Sequence, residues 1–89
     1  MILLTTDPVG PGDDTASLAA VEPGRTAVVV RVDDRGPEGQ RLLDLGFTPR
    51  TEIQVLKRAP LGDPVVYGVR GTRMCLRRSE AERVRVRPL

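Results

Sequence analysis

The residues with chemistry to offer are few, and their spacing keeps them apart. Cys75 is the only cysteine, and it stands beside Met74, a second soft ligand. Neighbours along a strand point to opposite faces, so these two do not converge on one ion. Met74 reads as core filler and Cys75 as a small strand residue. Adjacent carboxylates occur at Asp13-Asp14 and Asp33-Asp34. Both pairs sit in polar, turn-forming surroundings where water keeps them ionised, without the shifted pKa that acid–base catalysis needs. A hard-cation site at Asp33 and Asp34 would need more oxygen ligands than the neighbouring sequence supplies. Ser17, Ser79 and Cys75 are nucleophiles in search of a base, and the chain has no histidine. That removes the commonest transition-metal ligand and the usual general base at neutral pH. There is no phosphate-binding G-x-x-x-x-G-K-[ST] loop and no G-x-G-x-x-G. The expectation is no catalytic residue, no metal site and no cofactor, hence a binding module.

Charge says what such a module prefers to meet. Residues 1–24 carry Asp7, Asp13, Asp14 and Glu22 and no base, a charge of −4. Residues 25–89 carry all 14 basic groups against 8 acidic ones, a charge of +6. Arg77, Arg78, Arg83, Arg85 and Arg87 gather near the C-terminus and offer a basic face. A single-strand nucleic-acid site also needs aromatic stacking platforms. Only Phe47 and Tyr67 are available, and both fall in core-like positions. Nucleic acid is therefore the weaker expectation, with non-specific phosphate contact left open.

The feature hardest to explain as mere structure is Leu61 in Ala59-Pro60-Leu61-Gly62-Asp63-Pro64. Turn tips normally take polar residues. Leu61 is either a fixed apolar knob on a proline-stiffened loop or a cap folded over the end of the core. The sequence leaves both open.

The elements that position these residues are short. Residues 1–17 read as an acidic, disordered tail and residues 18–89 as one domain. Leu18 to Val21 is a small apolar patch. A strand is expected from Thr26 to Asp33, with Val28, Val30 and Val32 in one phase and Ala27, Val29 and Arg31 in the other. Pro37 and Glu38 suit a helix start, and the helix should run from about Glu38 to Leu45. Gly46 stands where a C-cap glycine belongs, and Pro49 prevents continuation. Strands follow at Glu52 to Arg58, with Ile53 and Val55 inward, and at Val65 to Arg70, with Val65, Tyr67 and Val69 in phase. Gly68 suggests a bulge. Gly71-Thr72 reads as a tight turn before a strand from Arg73 to Arg77. Ser79 to Glu82 reads as one helical turn capped by Ser79. The last strand is Val84 to Arg87. About five short strands and one short helix make a mainly β chain, a small bent sheet closing into a barrel. No apolar run reaches the length of about 18 residues that a membrane helix needs. Met1-Ile2-Leu3-Leu4 lacks the basic region of a signal peptide, so a cytoplasmic location is expected.

Three motifs together resemble the FeoA family, small SH3-like proteins of bacterial ferrous iron transport. They are Arg41-Leu42-Leu43-Asp44-Leu45-Gly46-Phe47-Thr48-Pro49, then Ala59-Pro60-Leu61-Gly62-Asp63-Pro64, then Gly71 to Ala81 with Met74, Leu76, Arg77 and Glu80-Ala81. The resemblance spans residues 18–87. It implies a five-stranded SH3-like barrel with a helix inserted after the first strand. It also implies a partner, the cytoplasmic part of the FeoB membrane iron transporter, which such proteins support or regulate. The alternative context is an SH3-like module of a metal-dependent transcriptional regulator, although no helix-turn-helix is present here. The residues expected to meet a partner are Leu45, Gly46, Pro60, Leu61, Gly62 and Asp63. An open strand edge and the apolar loop also leave weak self-association open. The chain departs from the family at Arg50, where glycine is usual in a type II turn, so that turn is in doubt.

Overall fold

The computed structural model describes residues 15–89. Most of the expected tail lies outside them. Its last residues form a strand, β1 (Ala16–Ser17), followed by a 3-10 turn at Leu18–Ala20. Then come β2 (Thr26–Val32), α1 (Gly36–Asp44), β3 (Glu52–Arg58), β4 (Val65–Val69), β5 (Thr72–Leu76), α2 (Arg78–Ala81) and β6 (Val84–Pro88). All six strands join one antiparallel sheet in the order β1-β6-β2-β3-β4-β5. Five of them were expected. The sixth, β1, is only two residues long, too short for a periodic signal.

Alternation builds the inner face. Ala27 and Val29 of β2, Ile53 and Val55 of β3, and Val65, Tyr67 and Val69 of β4 all point into one core. Leu76 of β5 and Val84 and Val86 of β6 complete it. Burying each large aliphatic or aromatic side chain contributes about 1.5–3 kcal/mol. Phe47 and Tyr67 meet edge to face, with ring centroids 6.4 Å apart and planes at 89°. Both rings are buried, as their core-like positions suggested.

Two irregularities bend the sheet. Register shifts between Val29 and Arg31 on β2, and between Val55 and Lys57 on β3. A bulge adds a residue and sharpens the local twist. At β2 it breaks the expected even phase, so Arg31 is exposed while Val32 packs against the core. At β3 it leaves Lys57 exposed and sets Arg58 opposite Val65, while Leu56 keeps the strand's regular outward phase, 40% exposed. Gly68 is not the bulge. It pairs regularly with Gln54, and its bare Cα makes room for that side chain: an added Cβ would lie 3.1 Å from Gln54 Oε1.

The helix ends as its residues dictate. Gly46 takes φ 108°. Its N–H donates to the Leu43 carbonyl (3.0 Å), and the Phe47 N–H donates to the Leu42 carbonyl (3.1 Å). That is the Schellman pair, with buried Phe47 and Leu42 as its apolar contact. The hairpin turn between β4 and β5 is Arg70-Gly71 rather than Gly71-Thr72. Both residues have positive φ, 52° and 81°, as a two-residue primed turn requires. The cap of α2 is Arg77 rather than Ser79. Glu80 reaches back to the Arg77 N–H at 2.9 Å, which settles the helix start two residues earlier.

Candidate functional site

The loop between β3 and β4 is built to hold its shape. Gly62 N–H donates to the Ala59 carbonyl (2.7 Å), closing a turn with Pro60 and Leu61 at its centre. Proline presets the first central position, and Gly62 follows at φ 89°. Ala59 N–H donates to the Pro64 carbonyl (3.0 Å), and the Asp63–Pro64 bond is cis. Asp63 Oδ1 accepts from the Arg78 N–H at 3.0 Å. The loop is thereby pinned to the first turn of α2.

Leu61 sits at the tip of this turn and is 96% exposed. It does not fold back over the core. Charged groups lie beside the foot of the loop, where Glu22, Arg58 and Arg78 share a hollow with Gly62. Arg58 lies 3.8 Å from Glu22 and Arg78 lies 3.4 Å from Glu82. That hollow, about 220 Å³, is lined by Ala19, Ala20, Arg58, Gly62 and Val65 among others. Tyr67 forms part of its wall. Burial pushes the Tyr67 phenol up to about 12, with Arg58 opposing that shift and Asp63 adding to it. An apolar knob inside a polar rim is the usual anatomy of a protein-docking patch.

The other expected site residues lie elsewhere. Gly46 abuts Val69 at the far end of β4, with a built Cβ 3.4 Å from Val69 Cγ1. The Leu61 loop leaves from Arg58 and Val65, paired at the near end. Four strand steps, about 13 Å, separate the two ends. Leu45 is half-buried and packs against the core. Pro60, Leu61, Gly62 and Asp63 therefore lie together in one loop, and Leu45 and Gly46 are not beside it.

Among the described residues, no three Cys, Asp or Glu side chains gather where they could hold a metal ion. Hydrogen bonds from the Arg35 side chain and backbone hold the Asp33 carboxyl well below the usual carboxylate range. Asp33 is thus engaged with Arg35 (2.8 Å) and Arg83 (3.7 Å) rather than facing a ligand. Cys75 is exposed on β5. Among the described residues, no helix is long and apolar enough to cross a membrane.

The role of Asp63 as a link to α2 escaped sequence reasoning, because its partner is 15 residues away. So did a groove on the outer face of β3, β4 and β5, rimmed by Arg50, Arg70 and Arg73. Its one sequence signal was an arginine where the turn invites glycine.

Comparison with known proteins agrees with this geometry. A FeoA domain model matches residues 16–88. A relative from Porphyromonas gingivalis, described as an Fe(2+) transport protein A/Fe(2+) transporter FeoB fusion protein, is 39% identical over 69 residues. That match covers 78% of this chain and only 8% of the relative. A crystal structure of an iron uptake regulatory protein (FeoA) superposes with a TM-score of 0.76 at 35% identity, over 84% of this chain and 99% of that one. The zinc complex of FeoA from Stenotrophomonas maltophilia, described as a prokaryotic SH3 domain protein, superposes at 0.72 and 35% identity, over 80% of this chain and 88% of that one. The mainly β, SH3-like fold expected from the sequence is the fold observed. With the family model covering all six strands and both helices, this chain belongs to the FeoA family.

Proposed function

We propose that this chain is a non-enzymatic cytoplasmic accessory protein of ferrous iron transport. It docks on the cytoplasmic part of a FeoB-type transporter through Pro60, Leu61 and Gly62, with Asp63 holding the loop in place. The observation that carries this reading is Leu61, 96% exposed on a loop closed by its own hydrogen bonds. A large apolar side chain carried on a fixed backbone spares the loop most of its ordering cost on binding and gains the burial. The fusion relative supports the partner, since its name joins the two proteins in one chain. A partner that also reaches Leu45 and Gly46 must span the length of β4.

Leu61→Asp tests the reading. Binding to the cytoplasmic part of FeoB should weaken about 30-fold, as for a central anchor residue. The free protein's stability should stay within about 0.5 kcal/mol, because an exposed side chain supports no packing. Unchanged affinity would refute the loop as the docking element.

A further inference from the structure

Two described non-glycine residues have left-handed backbone, Arg50 at φ 74° and Arg70 at φ 52°. Both are arginines, and both line the same groove, about 770 Å³, on the outer face of β3, β4 and β5. Left-handed backbone costs a residue with a Cβ about 1–2 kcal/mol, a cost that glycine escapes. Strain of this kind at two turns flanking one groove points to a use for the side chains. Arg73 on β5 supplies a third guanidinium, and the Gln54 and Leu56 side chains lie across the floor where Gly68 has none.

Ion pairing divides the arginines. Arg35, Arg41, Arg58, Arg78 and Arg83 each face a carboxylate within ion-pair distance. Among the described residues, Arg50, Arg70 and Arg73 take part in no ion pair. Among the same residues Arg25, Arg31, Arg77 and Arg85 also form none, and the groove's three differ from them in being gathered around one hollow. Arg70 instead donates to the Thr48 and Thr51 hydroxyls, at 3.3 and 3.2 Å, which fixes its direction beside the groove.

We propose that this groove is a second docking site, separate from the Leu61 loop, and that it takes a carboxylate-rich segment of a partner protein. Three guanidiniums against one carboxylate leave the groove with an excess of positive charge that favours an anion, and guanidinium geometry suits carboxylates well. The lining favours peptide over nucleic acid. Leu56, 40% exposed, and Pro49 offer apolar contact between the charges. Glu52 also lines the groove and would repel a continuous phosphate backbone, whereas a peptide can place a neutral residue there. Both aromatic rings are buried, so no base can stack on them.

The test is fluorescence anisotropy of the full chain with a short fluorescein-labelled peptide alternating glutamate and leucine. Arg50→Gly keeps the turn and removes the charge. It and Arg73→Ala should each weaken binding about two- to fivefold, as an exposed ion pair does, and salt should weaken it too. Arg31→Ala removes an exposed arginine from β2, outside the groove, and should change nothing. Equal losses from Arg31→Ala and from the groove variants would reduce the effect to net charge and overturn the proposal. A DNA duplex that binds more tightly than the peptide, through the same arginines, would overturn the choice of partner. So would tighter peptide binding by the chain carrying Asp7→Asn, Asp13→Asn and Asp14→Asn, which would make its own acidic segment the occupant.

Discussion

Arg50 occupies a backbone position that glycine would fill at less cost. The sequence put its turn in doubt, yet the turn is kept, because its neighbours over-determine it. Thr51 N–H donates to the Thr48 carbonyl (3.1 Å), and Arg50 N–H donates to the Val29 carbonyl (2.8 Å). Val29 N–H returns the bond to the Thr51 carbonyl (2.9 Å). Those bonds need φ 74° at Arg50 whatever side chain stands there. Arg50→Gly should therefore stabilise the fold by about 0.5–1 kcal/mol, the relief of strain less the added flexibility of the unfolded chain. Denaturant unfolding checks this, and a loss of stability would mean that the Arg50 side chain holds the turn itself. Leu61 teaches a related lesson. Its two prolines were legible, but whether the side chain turned in or out depended on the turn geometry, which the residue types alone left open.

At the scale of elements, strands with clean alternation were read to within a residue. β3 matches its expected bounds, and Ile53 and Val55 face inward as expected. The bulges were missed because an inserted residue need not differ in type from its neighbours: Val30 and Leu56 are as apolar as the residues around them. Gly68 drew attention instead, although its task is to admit the Gln54 side chain. The start of α2 was misplaced because much of its capping comes from Asp63, across the fold. The element-level prediction concerns that bond. Asp63→Ala should cost about 1 kcal/mol, the usual value of a side-chain hydrogen bond to a helix N-terminus. Hydrogen exchange at the Arg78 amide should quicken, and FeoB binding should weaken as the loop gains freedom. Unchanged exchange at Arg78 would show that Asp63 does not pin the loop.

For the whole molecule, one core carries the fold, and the only tyrosine reports on it. The Tyr67 phenol is raised to about 12 by burial, against about 10 when unfolded. The neutral phenol is thus favoured in the folded state. Its contribution to stability is complete below pH about 10 and is lost as pH rises through the folded value. Tyrosinate absorbance should accordingly stay low past pH 10 and rise together with unfolding near 12. A midpoint near pH 10 in the folded protein would contradict the burial. Charge was legible along the chain but not across the surface. The sequence showed an excess of arginine beyond residue 24, whereas the groove and the ion pairs that divide those arginines into engaged and unengaged sets arise only when β3, β4 and β5 come together.

The central claim is that the Leu61 loop docks on a FeoB-type transporter. The most direct test is an NMR titration of the labelled chain with the cytoplasmic part of its cognate FeoB, with and without nucleotide. The account predicts shifts centred on Leu61, Gly62 and Asp63 and spreading to Arg78, and their loss in the Leu61→Asp variant. Binding whose shifts leave that loop untouched, or no shifts at saturating concentration, would contradict it.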